Sequence, residues 1–248
     1  MCSIIMIMDQ DEKRDWLDSI KYSFKKYPDF YNFLIWLISP VFSFKKDSYK
    51  RLVKYVKNDQ NTIILNIGSG PFILEKNFIN IDISSYNNVH IVADASRLPF
   101  KNNSVDAIVN IVILEHVPEP EKVVDEMYRV IKNGGVIYSH IPFMQGFHAS
   151  PHDYKRWTSS GISQLHHNFI EIECGVGAGP TSSLVWILTE WFALLLSFRI
   201  KTLYKILFFV FTLILWPIKF IDIILIGHPM AKNIASTFYY IGRKEIDT

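Results

Sequence analysis

The stretch Ile64–Phe72, ILNIGSGPF, sets the tightest limit on the fold. An apolar run reaches Asn66 and Ile67 and is followed at once by Gly68, Ser69, Gly70 and Pro71. A buried strand with that ending must turn sharply and leave its backbone open to close approach, because neither glycine carries a Cβ. Short β-branched runs recur around it: Thr62–Ile67, Asn77–Ile83, His90–Ala95, Val105–Ile113 and Gly135–Phe143. Each is bounded by Gly, Asn, Ser or Pro, as buried strands are. Between the last two, Val123, Val124, Met127, Val130 and Ile131 share one helical face. Prolines and acids precede that face and Gly134 and Gly135 follow it, which predicts an amphipathic helix with both ends signalled. Strands joined by such crossovers form a parallel sheet in a doubly wound α/β domain, whose ligand crevice lies beyond the carboxyl ends of the strands. The glycine turn sits at such an end.

Composition narrows the partners. A chain of 248 residues, 49% hydrophobic and 20% charged, buries a full core and is not disordered. Its net charge of +2, with no dense Lys/Arg stripe, excludes nucleic acid as the expected partner. Cys2 and Cys174 lie too far apart in sequence for a disulfide framework or paired metal spacing, which points to a reducing cytoplasm. The apolar start of the chain has no basic residues ahead of it, so no secretory signal is expected.

Asp82 ends the second strand, where a carboxylate can accept hydrogen bonds from both hydroxyls of a ribose, and Asp94 ends the third, placed to meet an adenine amino group. Each also has the ordinary reading of a turn or cap residue. In order, LNIGSGP, NIDIS, ADASRLPFKNNSVDAIV and LEHVPEPEKVVDEMYRVIKNGGVIY resemble the motifs of class I S-adenosylmethionine-dependent methyltransferases of the methyltransferase-11-like group, over about Asn61–Phe143. The resemblance implies a Rossmann-like sheet of seven strands, the last antiparallel, and S-adenosyl-L-methionine as cofactor. It assigns Asn66, Gly68, Ser69 and Gly70 to the methionine and ribose side, Asp82 and Ile83 to the ribose hydroxyls, and Asp94 and Ala95 to the adenine. Asn66 stands where the family usually has an acid, and Phe72 where a third glycine often occurs. The short separation of Gly70 from Asp82 leaves room for only a brief first helix, which disfavours a nicotinamide enzyme that needs a helix N-terminus for pyrophosphate.

Methyl transfer to an alcohol needs a base as attack proceeds. His116, just past the fourth strand, is one candidate; the loop PFMQGFHASPHDYKRWT after the fifth carries His148, His152, Asp153 and Arg156. Similar loops recur in methyltransferase-like proteins near polysaccharide assembly, and the resemblance implies acceptor binding there. Other readings stay open: His116 as a helix cap, Asp153 as the cap of a helix beginning near Tyr154, Arg156 as a brace of the loop or a binder of an acceptor phosphate or carboxylate. A His148–His152–Asp153 metal site is geometrically admissible, but no metal is expected. His166 and His167 read as surface residues of a helix, without a role.

Asn168–Val176 reads as the sixth strand and Ser236–Lys244 as the seventh. The sequence therefore divides into an N-terminal helical extension (1–60), a catalytic domain (61–180 with 235–248) and an apolar helical insert (181–234). Leu184–Phe198 would make a helix of about 22 Å, short of a hydrocarbon core of about 30 Å. Ile206–Ile226 is long enough to span but carries Pro217, Lys219 and Asp222. Both flanking strands belong to one sheet, so the insert can cross a membrane only an even number of times. A shallow hairpin or interfacial helices are expected, with Trp186, Trp191, Trp216, Arg199, Lys201 and Lys205 as headgroup anchors. The aromatic segment Tyr27–Lys46 lies on the same surface or on the protein's own core. An extra soluble layer or a homo-oligomer interface is the alternative for the insert. The expected protein is a cytoplasmic methyltransferase, peripheral or monotopic on the inner face of the cell membrane. It is expected to methylate oxygen on a lipid, small-molecule or lipid-linked glycan acceptor in polysaccharide biosynthesis. A cofactor-binding inactive scaffold and an NAD-dependent oxidoreductase are the rivals.

Overall fold

The computed structural model describes residues 39–41, 49–56, 61–149 and 151–246. Cys2, the N-terminal signal reading and all of Tyr27–Lys46 except Ser39–Val41 lie outside them. Seven strands run in chain order as β1 (Ile64–Ile67), β2 (Ile79–Asp82), β3 (Ile91–Val92), β4 (Val105–Ile111), β5 (Ile131–Pro142), β6 (Ile170–Ala178) and β7 (Thr237–Arg243). They form one sheet in the order β3-β2-β1-β4-β5-β7-β6. The strands from β3 to β5 are parallel, and β7 alone is antiparallel to β5, with Ser139 opposite Tyr240. This is the doubly wound, seven-stranded Rossmann-like sheet expected.

Alternation along the central strands fills two apolar layers. Leu65, Ile108 and Ile137 face one layer with Val123 and Met127 of helix α2 (Pro120–Val130) and Ile162 of α3 (Ser159–Leu165). Ile64, Ala107, Val109, Val136 and Tyr138 face the other, with Leu52 of the short helix α1 (Lys50–Val53). Burial on both faces explains why these strands read as continuous apolar runs.

Local boundaries depart from the sequence pattern for identifiable reasons. Helix α2 stops at Val130, before the two glycines, because Ile131 already pairs with Val105. The Lys244 ammonium donates to Tyr128 O at 2.7 Å and Ile131 O at 3.0 Å, giving the helix end a cation. Gly134, at φ 78°, then turns an excursion that lets Val136 resume the ladder opposite Ala107. β3 is two residues long because Asp94 folds back onto Ser96, its Oδ1 accepting from the Ser96 amide and hydroxyl. Between β1 and β2 no helix forms at all: residues 68–78 are turns and irregular backbone.

Among the described residues, contacts form two compact units: 49–56, 61–143, 154–177 and 237–246, which hold the sheet, and 39–41, 144–149, 151–153 and 178–236. In the second, α4 (Pro180–Leu196) and α5 (Lys201–Leu215) form an antiparallel hairpin. Phe192 stacks on Phe211 at 5.0 Å and the Tyr204 hydroxyl bonds Glu190. A 3-10 turn (Trp216–Ile221), the short helix α6 (Asp222–Leu225) and another 3-10 turn (Ala231–Ile234) follow.

Both charges that interrupt the second apolar run are buried within this unit. Asp222 accepts from Thr181 N at 2.7 Å, Ser182 N at 2.8 Å and Ser182 Oγ at 2.6 Å, so it caps α4 from a distant part of the chain. The N-cap residue Gly179 must lack a side chain, since a Cβ there would stand 2.4 Å from Asp222 Oδ1. Lys219 donates to Ser39 O at 2.7 Å, and burial pushes its ammonium down to about 8. The continuous helical run Lys201–Leu225 is long and apolar enough to cross a membrane, with mean hydropathy 2.1, and only 22% of its most apolar window is buried. Trp186, expected as a headgroup anchor, is instead 1% exposed and lies against His148 at 5.6 Å. Trp191 is exposed.

Candidate functional site

The glycine turn wraps over the end of β2. Gly68 N and Ser69 N both donate to Ile81 O, at 2.8 and 3.1 Å. Gly68 has φ 69°, and a Cβ there would meet Ile113 Cδ1 at 2.6 Å, so conformation and space both require glycine. Gly70, at φ 57°, has only Phe72 within 4.0 Å of where a Cβ would stand; there the backbone conformation alone selects glycine. The residue before Ile113 is strained: Val112, just beyond β4, takes φ 57° and is held by its amide to His140 O at 2.8 Å. A β-branched residue in that region costs about 1 to 3 kcal/mol and marks a conformation the surroundings impose.

Asp82 joins this turn. Its Oδ2 accepts from Gly70 N at 2.8 Å and its Oδ1 from Ser84 N at 2.9 Å. Each carboxylate oxygen keeps a further lone pair, so both can still receive a ligand hydroxyl. Ile83, beside it, is 74% exposed and open to a ligand face. Asp94 is exposed and engaged in its own turn with Ser96, with Ala95 half-buried behind it.

Asn66 stands on β1, two residues ahead of Gly68. It is buried, and its amide donates sideways to Asn80 Oδ1 on β2 at 3.0 Å. Asn80 in turn donates from Nδ2 to Asn88 O at 3.0 Å, and its backbone amide donates to His90 Nδ1 at 2.9 Å. Asn88 completes the chain by donating to Gly70 O at 2.9 Å and Phe72 O at 3.1 Å. Three asparagines thus hold the turn where a helix would otherwise back it. The sequence reading missed Asn80, Asn88 and Val112: YNNV reads as an ordinary turn, and only the tertiary fold brings its amide to the glycines.

His116 ends a 3-10 turn (Leu114–His116) after β4, with Nε2 3.8 Å from Glu115 Oε1. It lies in the 3-10 turn ahead of α2, whose N-cap is Glu119, so the capping reading fails. The histidine loop divides between the units. His148 and Asp153 pair in one: Asp153 Oδ2 accepts from His148 N at 2.8 Å, while His148 Nδ1 donates to Gly146 O at 2.9 Å, which assigns its tautomer. His152, in the same unit, is exposed. In the other unit, Arg156 donates to Lys155 O at 2.9 Å, and the Tyr154 amide to Glu115 O at 2.7 Å. Asp153 caps no helix: α3 begins at Ser159, and Thr158 Oγ1 accepts from Gly161 N.

His166 also corrects the sequence reading. It is fully buried, with Nδ1 donating to Ile162 O at 2.9 Å and Nε2 accepting from Ser139 Oγ at 2.7 Å. Burial holds its imidazole down at about 4, so it is neutral throughout the physiological range.

Residues 73–139 match the family described as methyltransferase domain. The chain is 30% identical over 110 residues to the sterol 4-C-methyltransferase strm-1 of Caenorhabditis elegans, covering 44% of this chain and 30% of that one. It is 32% identical over 85 residues to 2-methyl-6-phytyl-1,4-hydroquinone methyltransferase 1, chloroplastic, of Oryza sativa subsp. japonica, covering 34% and 24%. The matched part thus spans less than a third of either relative. Phosphoethanolamine N-methyltransferase 2 of Haemonchus contortus, solved with S-adenosylhomocysteine, shares the fold, with a TM-score of 0.50 at 16% identity over 92% of this chain and 59% of that one.

Proposed function

Because this chain carries a class I S-adenosylmethionine-dependent methyltransferase domain, we propose that it transfers a methyl group to a lipid, or to a lipid-linked glycan, at a membrane surface. The observation that carries the reading is Asp82, a carboxylate at the end of β2 bonded to the amide of Gly70. The donor set fits the cofactor: Asp82 receives ribose hydroxyls, Gly70 leaves its side of the turn open, and Ile83 offers an apolar face. The cofactor supplies an electrophilic methyl group. The chain's part is to seat it, keep it still and manage the acceptor's proton. For a hydroxyl acceptor that last task falls to His116, the histidine that follows β4.

Two lines support a lipophilic acceptor. The two curated relatives act, by name, on a sterol and a phytyl hydroquinone. The second unit of this chain carries an exposed apolar surface on its helices, suited to a bilayer from which such an acceptor would come. The missing helix between β1 and β2 argues against the nicotinamide rival, which would need its N-terminus for pyrophosphate.

Calorimetry with S-adenosylmethionine, S-adenosylhomocysteine and NAD tests the cofactor, and binding by the first two alone is expected. Label from methyl-tritiated S-adenosylmethionine should then enter the organic phase of a membrane lipid extract. Failure to bind either adenosyl ligand ends the proposal. Binding without transfer to any lipid fraction favours the scaffold reading, in which Asn66 has lost the acid's role.

A further inference from the structure

We infer that the α4–α5 hairpin lies flat on an anionic bilayer, its outer stripes in the acyl boundary and its cations among acidic headgroups. This deepens the membrane attachment proposed above and rests on it.

Each helix is apolar on its outer side as well as its inner one. On α4, Leu184, Ile187, Trp191, Leu194 and Leu195 are exposed at helical spacing, while Val185, Trp186, Thr189 and Ala193 are buried. On α5, Ile206, Phe209, Val210, Leu213 and Ile214 repeat the pattern opposite buried Phe208 and Thr212. An apolar stripe of this length facing water is the mark of an interaction surface.

The charges choose the occupant. Between Ala178 and Ser236 the only acids are Glu190 and Asp222. Glu190 bonds the Tyr204 hydroxyl, and burial raises its carboxyl above the usual range; Asp222 is buried at the head of α4. Lys219 is buried as well. What remains at the surface is positive throughout: Arg199, Lys201 and Lys232 exposed, Lys205 half-buried. A second copy of the chain would meet the same cations and repel them. An acidic lipid surface complements them.

Orientation follows from where the cations stand. Arg199 and Lys201 flank the hairpin turn, beside Phe198, which is 77% exposed. Insertion turn-first would carry both cations the length of α5, about 22 Å, into a core of about 30 Å, and Glu190 would sit midway. Lying flat keeps each cation at headgroup level, with its stem over the apolar stripe.

The test is co-sedimentation of the full chain with phosphatidylcholine vesicles, with and without phosphatidylglycerol, at low and high salt. Each surface cation contributes about five-fold in affinity, so Arg199→Gln with Lys201→Gln should weaken binding to the acidic vesicles about 25-fold and leave binding to neutral ones unchanged. Arg199→Cys in a Cys2→Ser, Cys174→Ser background should remain open to an impermeant maleimide added outside the vesicles. Equal binding to neutral and acidic vesicles overturns the charge assignment. Protection of that cysteine, or labelling only from the lumen, overturns the flat orientation. A dimer that forms in place of vesicle binding overturns the whole inference. S-adenosylhomocysteine affinity, measured on the same sample without vesicles, reports separately on the methyltransferase reading.

Discussion

The single side-chain amide of Asn88 reaches two carbonyls of the glycine turn, Gly70 at 2.9 Å and Phe72 at 3.1 Å. Substituting Asn88 by Asp keeps the shape, removes both donors and sets an anion against two carbonyl oxygens. S-adenosylhomocysteine should bind about 1 to 3 kcal/mol more weakly, as expected for lost hydrogen bonds with a buried partner left over. Calorimetry beside a thermal melt checks this, and an unchanged dissociation constant removes Asn88 from the site.

Asp82→Ala is expected to cost a similar 1 to 3 kcal/mol in cofactor affinity, because it takes away both the ribose acceptor and the brace on Gly70 N. Asp82→Asn should lose less, since one oxygen still accepts. If both variants bind as the parent does, the carboxylate is not a ligand.

Asp222 collects three donors at the start of α4, and Gly179 leaves it room. Asp222→Ala should destabilise the fold by about 3 kcal/mol, the scale of a buried charged hydrogen-bonding group with its partners orphaned. Gly179→Ala should be destabilising too, by driving a Cβ into the carboxylate. Denaturant unfolding measures both. Neither should alter S-adenosylhomocysteine affinity in the protein that remains folded.

His166 gives the fold an acid limit. Its folded-state value near 4 lies below the ordinary 6.5, so between these values the unfolded chain takes up a proton that the native protein does not. Stability from this group is complete above about pH 6.5. It is lost as pH falls toward 4, by about 3 kcal/mol in all, and levels off below. Urea midpoints across that window should show the decline, and His166→Gln should flatten it. An identical slope in the variant assigns the acid sensitivity elsewhere.

Much of the sheet was legible because its signals are local. Leu65, Ile108 and Ile137 announce buried strands by type, and Gly68 announces the turn by its lack of a side chain. Asp82 was legible through its place at a strand end. What escaped depends on residues distant in sequence. Nothing around Asn88 marks an amide that reaches back to Gly70, and nothing around His166 marks the serine it would meet inside the fold. Asp222 and Lys219 misled for the same reason: in a linear reading they interrupt a greasy segment, whereas in space one caps a helix and the other binds a carbonyl. Trp186 read as an anchor because an indole on an apolar helix looks alike on either side of it.

The bare connection between β1 and β2 carries a consequence for assembly of the protein during synthesis. A helix in that position would complete itself within one or two turns of emerging chain. Here the ties on Gly70 and Phe72 come from 18 and 16 residues downstream. The glycine turn therefore takes its final shape only after the chain has passed Asn88.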